Sequence, residues 1–187
     1  MVAGPSGREL TPDIVESCRR GDRDAFRALY DAYKDKVYSI ALYFFHGDES
    51  AASDTTQQVF LKLLTGIAQF RSDAEFSTWL YRLVVNACLD GARRAKPRKF
   101  AAQAVRPDEI AGPQSLERDF AREQTARSVR AALSALPVKF RLPLLLRYFE
   151  DLSYSEMAAA MNCSMGTVAS RLNRGHKMLA QKLESLR

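Results

Sequence analysis

Several residue types that support particular chemistries are scarce in this chain of 187 residues. It contains three cysteines, Cys18, Cys88 and Cys163, and two histidines, His46 and His176. An odd number of widely separated cysteines argues against a disulfide framework, and no CxxC or paired Cys/His spacing indicates a zinc site. We interpret each cysteine as a small buried apolar side chain, with a redox role for Cys88 or Cys163 left open. No cofactor or metal is predicted.

Long apolar runs are also missing. No stretch approaches the roughly 20 apolar residues of a membrane span, so no stable membrane insertion is predicted. The opening residues, MVAGPSGRELTPD, lack the apolar segment of a secretion signal, and we therefore expect a cytoplasmic protein. No phosphate-cradling glycine loop, nucleophile elbow or metal triad is present, which gives an enzyme little support. The carboxylates of Asp48, Glu49 and Asp54 lie near predicted helix ends, where capping explains them.

The alternating pattern of β-strands is absent, and apolar residues instead recur at spacings of three and four. This spacing predicts an all-α fold of two small helical domains joined by a flexible linker. We expect a disordered N-terminus at 1–11, a helical bundle at 12–96, the linker at 97–116 and a second helical domain at 117–187.

The helix boundaries follow from capping residues and turn signals. The predicted helices of the first domain run from Pro12 to Gly21, from a cap at Asp22 to the turn His46-Gly47-Asp48, from Glu49 to Ala68, and from Phe76 to Lys96. The second domain is predicted to hold helices at 116–136 and 138–149, followed by a pair of helices. Pro143 predicts either a late start or a kink in the helix at 138–149.

The pair of helices lies between Leu152 and Leu183. Ser153 is a good N-cap, and Glu156 three residues later completes a capping-box pattern. Asn162 tolerates the left-handed backbone that ends a short helix, and a longer helix then begins within three residues. A short helix, a tight turn and a longer basic helix are typical of a helix-turn-helix.

The polar side of the longer helix combines short hydroxyls with cations, and Glu184 is its only acid. Ordinary solvated faces mix both signs of charge, so we favour DNA binding over a solvated surface. The net charge of +6 fits a polyanionic partner, although charge alone does not distinguish nucleic acid from an anionic membrane. Gly175 is either tolerated within this helix or permits the close approach of a neighbouring backbone.

Four blocks of sequence carry a resemblance to a known family. They are DAFRALYDAY at 24–33, DTTQQVFLKLL at 54–64, FSTWLYRLVVNACLDGARR at 76–94, and the stretch at 136–179 that contains the helix-turn-helix. In order and spacing these blocks resemble the extracytoplasmic-function sigma factors of bacterial RNA polymerase, the compact kind that has sigma regions 2 and 4. The resemblance covers nearly the whole chain.

The resemblance implies an alternative sigma factor, a non-catalytic subunit that binds core RNA polymerase, recognises the −10 and −35 promoter elements and helps to melt DNA. It also implies an anti-sigma factor as antagonist. The third helix would dock on the polymerase, and Phe60 on that helix is interpreted as a core residue. The residues proposed for polymerase binding are Asp54, Gln57, Gln58 and Leu61.

The same resemblance implies two DNA-binding surfaces. Trp79 is interpreted as core and is kept out of both. The residues expected at the −10 element, in the loop and the fourth helix, are Phe70, Arg71, Ser72, Asp73, Tyr81, Arg82, Asn86, Asp90, Arg93 and Arg94. The residues expected at the −35 element are Thr167, Ser170, Arg171, Arg174 and Lys177.

A stand-alone helix-turn-helix regulator is the alternative function. Such a regulator would need to dimerise to read two half-sites, and the glutamine-rich face at 54–58 would then be unexplained. A gel shift on duplex promoter DNA, with and without core polymerase, separates the two hypotheses. Tight binding without polymerase would favour the regulator.

Overall fold

A computed structural model of the chain describes residues 12–70, 75–94, 124 and 128–185. These residues form helices and short connections without any strand, which confirms the predicted all-α fold. The expected disordered N-terminus at 1–11 and the linker at 97–116 lie outside the described residues. Within the described ranges, no helix has both the length and the apolar character needed to cross a membrane.

The first helical bundle confirms the predicted caps and turns. The Asp22 carboxylate accepts hydrogen bonds from the backbone N–H groups of the first turn of the second helix, and Asp48 does the same for the third. His46 and Gly47 adopt positive φ angles of 62° and 84° where the second helix ends. The elements are α1 Pro12–Arg19, α2 Arg23–Phe44, α3 Glu49–Gly66, a 3-10 turn at Ile67–Gln69, and α4 Phe76–Arg94.

The second bundle contains a helix described at 128–134 (α5), α6 Val138–Glu150, α7 Tyr154–Ala160 and α8 Met165–Glu184. The alternative of a late start at Pro143 is wrong, because α6 begins five residues earlier and continues through the proline. Pro143 lacks an N–H, so it costs one helical hydrogen bond, but its ring is buried in the core.

The two bundles pack against each other, which a pair of domains on a tether does not by itself predict. Buried residues of both bundles belong to one contiguous apolar cluster. At its edge the rings of Tyr43 and Phe149 lie edge to face with their centroids 4.8 Å apart. The Tyr81 hydroxyl donates a hydrogen bond to the Glu150 carboxylate across the same boundary.

Arg141 on α6 is the most deeply buried cation among the described residues, with 3% of its surface exposed. Its guanidinium donates to the carbonyl oxygens of Leu133, Ser134 and Leu136 at 3.0, 2.8 and 2.6 Å within the second bundle. It also donates to the Phe44 carbonyl at the end of α2. One side chain therefore closes the turn before α6 and ties the second bundle to the first.

Candidate DNA and polymerase interfaces

The helix-turn-helix is held by hydrogen bonds that its own sequence supplies. The Glu156 backbone N–H donates to Ser153 Oγ at 3.2 Å, and the Ser153 N–H donates to Glu156 Oε2 at 2.7 Å, so the predicted capping box is present. Asn162 adopts the expected left-handed conformation, with φ of 49°. Ser164 then caps α8 by accepting from the Thr167 N–H at 3.2 Å. These contacts cap both helices and form the turn between them.

Gly175 allows α8 to lie directly on α6. A Cβ at this position would be 3.2 Å from the Phe140 carbonyl oxygen and 3.1 Å from Leu144 Cδ1. Of the two interpretations of Gly175, close approach of a backbone is therefore the one confirmed. On the same side of α8, Val168 and Leu172 are almost fully buried. The opposite side of the helix is left for solvent or a ligand.

That opposite side carries the residues predicted for the −35 element. Ser170, Arg174 and Lys177 are exposed, and Thr167 and Arg171 are half-buried. An open groove of about 460 Å³ runs beside the start of α8, lined by three cations and three hydroxyl side chains and by no carboxylate. The structure thus brings the predicted residues together on one face of one helix.

The predicted −10 residues are divided between exposed and buried positions. The exposed ones lie on α4 and are Arg82, Asn86, Arg93 and Arg94. Asp90 is half-buried, and its carboxylate pairs with Lys62 Nζ at 3.6 Å and with Arg93 Nη1 at 3.4 Å. Asp90 therefore orients cations on this surface and adds no free negative charge to it.

Two aromatic rings expected at the −10 surface are buried in this structure, and their contact with DNA stays a prediction. Tyr81 is 2% exposed, because the second bundle covers it and Glu150 accepts its hydrogen bond. Phe70 is 5% exposed, because it packs against Phe76 and Trp79 with ring centroids 5.8 and 5.3 Å apart. Trp79 is half-buried and packs against the core cluster. The remaining predicted loop residues, which lie outside the described residues, are Arg71, Ser72 and Asp73.

The Tyr81–Glu150 contact is electrostatically unusual. Burial raises the pKa of the Tyr81 phenol above its ordinary range, and the nearby Glu150 raises it further. Burial also raises the pKa of Glu150, although the bonds from Tyr81 and Lys36 work against that shift. Lys36 Nζ lies 3.7 Å from Glu150 Oε2. The tyrosine is therefore a neutral donor to a poorly solvated carboxyl group.

The predicted polymerase-binding residues lie on one side of α3. Asp54, Gln57 and Leu61 are exposed, and Gln58 is half-buried. Phe60 is 6% exposed, which confirms its interpretation as a core residue.

Leu64, one turn after Leu61, is a residue that the sequence analysis did not select for this surface. In the structure the side chains of Leu61 and Leu64 are 61% and 53% exposed. Two leucines three residues apart share a helix face, so their spacing was the available signal. Together with Asp54 and Gln57 they form a surface that combines apolar and polar groups.

The three cysteines are separate free thiols that differ in burial. Cys88 is fully buried, and burial raises its pKa to about 12, so the thiolate is strongly disfavoured. Cys18 is buried and Cys163 is half-buried, and both are free thiols. Within the described part of the chain, no group of three or more His, Cys, Asp or Glu residues is arranged to hold a metal ion.

Family models match both bundles. Residues 29–98 match sigma-70 region 2, and residues 126–179 match sigma-70 region 4. The first match includes α3 and α4, and the second includes the helix-turn-helix. Together the two matches span more than half of the chain.

Full-length relatives agree with these matches. The chain is 33% identical over 187 residues to the RNA polymerase sigma-H factor of Pseudomonas aeruginosa, with 96% of each chain covered. It is 30% identical over 185 residues to the ECF RNA polymerase sigma factor SigW of Bacillus subtilis, covering 92% of this chain and 96% of the relative. It is also 32% identical over 191 residues to the ECF RNA polymerase sigma-E factor of Escherichia coli, covering 95% and 97%.

Solved structures share the fold. CnrH in complex with the cytosolic domain of CnrY matches with a TM-score of 0.70 at 21% identity, covering 95% of this chain and 99% of that one. The sigma factor RpoE in complex with the anti-sigma factor NepR, from Bartonella quintana, matches with a TM-score of 0.68 at 19% identity, covering 87% and 98%. With a helix-turn-helix in one bundle and both sigma regions matched in order, this chain belongs to the extracytoplasmic-function group of the sigma-70 family.

Proposed function

We propose that this sigma factor binds core RNA polymerase, recognises the −10 and −35 promoter elements and helps to separate the two strands of the promoter DNA. The observation that carries the proposal is the open face of α8, where cations and hydroxyls lie together without a carboxylate. Such a face suits phosphates and the acceptor-rich edges of bases. The subunit acts in the cytoplasm and by binding alone, without covalent catalysis.

The −35 element is read from α8. Arg171 and Arg174 lie one turn apart on a helix of 20 residues, a length that can follow the major groove. An arginine that binds guanine through two hydrogen bonds contributes about 1–3 kcal/mol of discrimination. Thr167 and Ser170 add short hydroxyls, and Lys177 reaches the sugar-phosphate backbone.

The −10 element is bound by α4. Arg82 and Asn86 are one turn apart and exposed, so both can reach the same strand. Arg93 and Arg94 end the helix and hold phosphates, with Asp90 positioning Arg93. The predicted loop residues Arg71, Ser72 and Asp73 join this surface. Unstacking a base costs a few kcal/mol, and contacts to the freed base offset that cost.

The polymerase is bound by α3. Leu61 and Leu64 leave apolar surface in water, and burying a leucine side chain contributes about 1.5–3 kcal/mol. Asp54, Gln57 and Gln58 supply polar contacts around these leucines. This combination fits a helical partner that presents an apolar stripe with polar edges.

An anti-sigma factor is the expected antagonist. Two proteins of the same fold were solved with a bound partner: CnrH with the cytosolic domain of CnrY, and the sigma factor RpoE with the anti-sigma factor NepR. An antagonist of this chain would have to cover the exposed faces of α3 and α8, because those faces are open in the free protein.

Paired variants test the division of labour between α3 and α8. Arg171→Ala with Arg174→Ala is expected to reduce run-off transcription from a −35-containing promoter by roughly tenfold or more, at about 1–3 kcal/mol per lost contact. Binding to core polymerase should not change. Leu61→Glu should do the reverse and weaken polymerase binding itself.

The matched control is Arg20→Ala with Arg23→Ala, which removes the same charge from exposed positions in the first bundle. This control should transcribe normally. Equal loss of transcription in the control and in the α8 variant would mean that net charge alone drives promoter binding. Loss of polymerase binding in the α8 variant would contradict the assignment of α8 to DNA.

A further inference from the structure

The groove beside α8 is built by two helices. Arg171, Arg174 and Thr167 line it from α8, and Lys139 lines it from the first turn of α6. The lysine is 35 residues from Arg174 in sequence and comes to the same groove only through the packing of the bundle. The sequence of α8 gives no reason to select Lys139.

The position of Lys139 is fixed by the contact between α6 and α8. Because residue 175 is a glycine, the Phe140 carbonyl oxygen lies against α8, and Lys139 is the residue directly before it. The Lys139 Nζ lies 5.0 Å from the Phe140 ring centroid, which holds the ammonium beside the groove. The residue is exposed, so its charge is accessible.

The charge of Lys139 is not neutralised by a neighbouring acid. In the part of the chain that the structure describes, none of the ion pairs includes Lys139, Arg171 or Arg174. Three cations around one open groove repel one another unless an anion is bound. The phosphates of a nucleic-acid backbone are the ligand that matches the positive charge of this groove.

We infer that Lys139 contacts a backbone phosphate of the −35 duplex, beside the base pairs that α8 reads. The inference rests on the proposed function of α8. A lysine is a flexible point charge, so its contact positions the protein on the duplex and does not discriminate between bases. Lys139 is thus a positioning residue that ties α6 to the DNA and fixes how α8 enters the major groove.

The test uses the full chain bound to core polymerase, with promoter affinity measured as a function of salt concentration. Lys139→Ala should weaken binding roughly 3- to 10-fold near physiological salt and reduce the slope of log K against log salt by about 1, as expected for one lost phosphate contact. The loss should be the same on promoters with altered −35 bases. Lys139→Glu should weaken binding further.

Lys182→Ala is the matched control, since it removes an exposed lysine near the other end of α8, away from the groove. It should leave both affinity and salt slope unchanged. A Lys139→Ala variant with an unchanged salt slope, or with an altered preference among −35 sequences, would overturn the inference. If Arg171→Ala also left affinity unchanged, the proposed function of α8 itself would fail, which keeps the two outcomes distinct.

Lys139 and Arg171 also line a second cavity of about 420 Å³, whose other walls include Val85 and Leu89 of α4. A purely structural role for the lysine in this cavity predicts that Lys139→Ala lowers the free energy of unfolding by clearly more than the loss of one exposed cation–π contact. The inference predicts a loss no larger than that of the contact with Phe140, because the side chain is exposed. Urea unfolding of the free chain therefore separates the two roles.

Discussion

The two DNA-binding surfaces proposed for this sigma factor differ in how far they are exposed to solvent. On the −35 surface of α8, Ser170, Arg174 and Lys177 are exposed, and Thr167 and Arg171 are half-buried. The −10 surface on α4 has exposed cations, but the ring of Tyr81 on the same helix is covered by the second bundle. One surface is complete within its own bundle, and the other is limited by its neighbour.

The difference arises from which side of each helix is used for packing. Helix α8 buries Val168 and Leu172 and needs nothing on its opposite side. Helix α4 is buried on one side against its own bundle and is also in contact with α7 of the second bundle. Exposure of Tyr81 would therefore require the bundles to separate, whereas α8 can meet DNA in the observed arrangement.

Removing Arg141 should have the largest effect on the difference between the two surfaces, because this residue joins the bundles and so keeps Tyr81 covered. Arg141→Ala removes the donor to the carbonyl oxygens of Ser134, Leu136 and Phe44, while the Leu133 oxygen keeps the Leu136 N–H at 3.1 Å. Each unsatisfied buried group costs about 1–3 kcal/mol, so we expect a loss of at least about 3 kcal/mol in the free energy of unfolding. Urea unfolding followed by circular dichroism measures it.

Arg141→Met is the matched control, since methionine keeps most of the volume and none of the hydrogen bonds. If hydrogen bonding dominates, Arg141→Met should lower the free energy of unfolding nearly as much as Arg141→Ala does. Arg141→Lys should recover only part of the lost free energy of unfolding, because an ammonium cannot donate to all four carbonyls that the planar guanidinium reaches. Unchanged stability in all three variants would contradict the role given to Arg141.

These contacts also show how far the sequence leads. Helix ends were predictable because their causes are local: Asp22, Asp48, Ser153 and Ser164 cap the N–H groups two or three residues ahead of them. Asn162 was predictable for the same reason, since a left-handed turn depends on the residue itself. The shared face of the residues proposed for the −35 element was predictable because they lie on one helix.

The hydrogen bond from Tyr81 to Glu150 was not predictable, because the two residues are 69 apart in the sequence. The burial of the ring did have a local signal, since Tyr81 precedes the buried Val84, Val85 and Cys88 by three, four and seven residues. Phe70 is a different case: as a loop aromatic it suggested stacking on a base, but Trp79 and Phe76 are close enough in space to bury it. Long-range packing decides between core and surface where helical period alone leaves both open.

Tyr81→Phe sharpens the comparison by keeping the ring and removing the hydroxyl. Glu150, whose side chain is 4% exposed, would be left with Lys36 at 3.7 Å as its partner. A hydrogen bond to a charged group contributes about 1.5–3 kcal/mol, and we expect a loss of unfolding free energy in that range. Promoter melting by the holoenzyme, followed by permanganate reactivity of thymines, should not change.

Tyr30→Phe is the control for Tyr81→Phe. Tyr30 is 40% exposed, and its ring packs on Phe60 in a way that phenylalanine preserves. It should retain wild-type stability. The opposite result for Tyr81→Phe, with stability intact and promoter melting lost, would place the Tyr81 hydroxyl on DNA and support the original prediction for this residue.

Acid should loosen the same contact between the bundles through His46, with the smallest effect of the three. Arg141 Nη1 lies 3.0 Å from His46 Nε2, and burial together with Arg141 lowers the pKa of His46 from 6.5 to about 4. Between these values the unfolded chain binds a proton that the folded chain does not. The contribution of His46 to the free energy of unfolding is therefore fully present above about pH 6.5 and is lost as the pH falls toward 4.

We expect His46 to contribute about 1–2 kcal/mol to this loss between pH 7 and pH 5, after allowing for the solvent that reaches its half-buried ring. His46→Asn should flatten the pH dependence, because asparagine tolerates the φ of 62° at this position and does not titrate. His176→Asn changes an exposed histidine that contacts Tyr148, and this variant should retain the wild-type pH dependence of stability. Equal pH dependence in wild type and His46→Asn would mean that acid acts on carboxylates elsewhere and leaves the contact between the bundles intact.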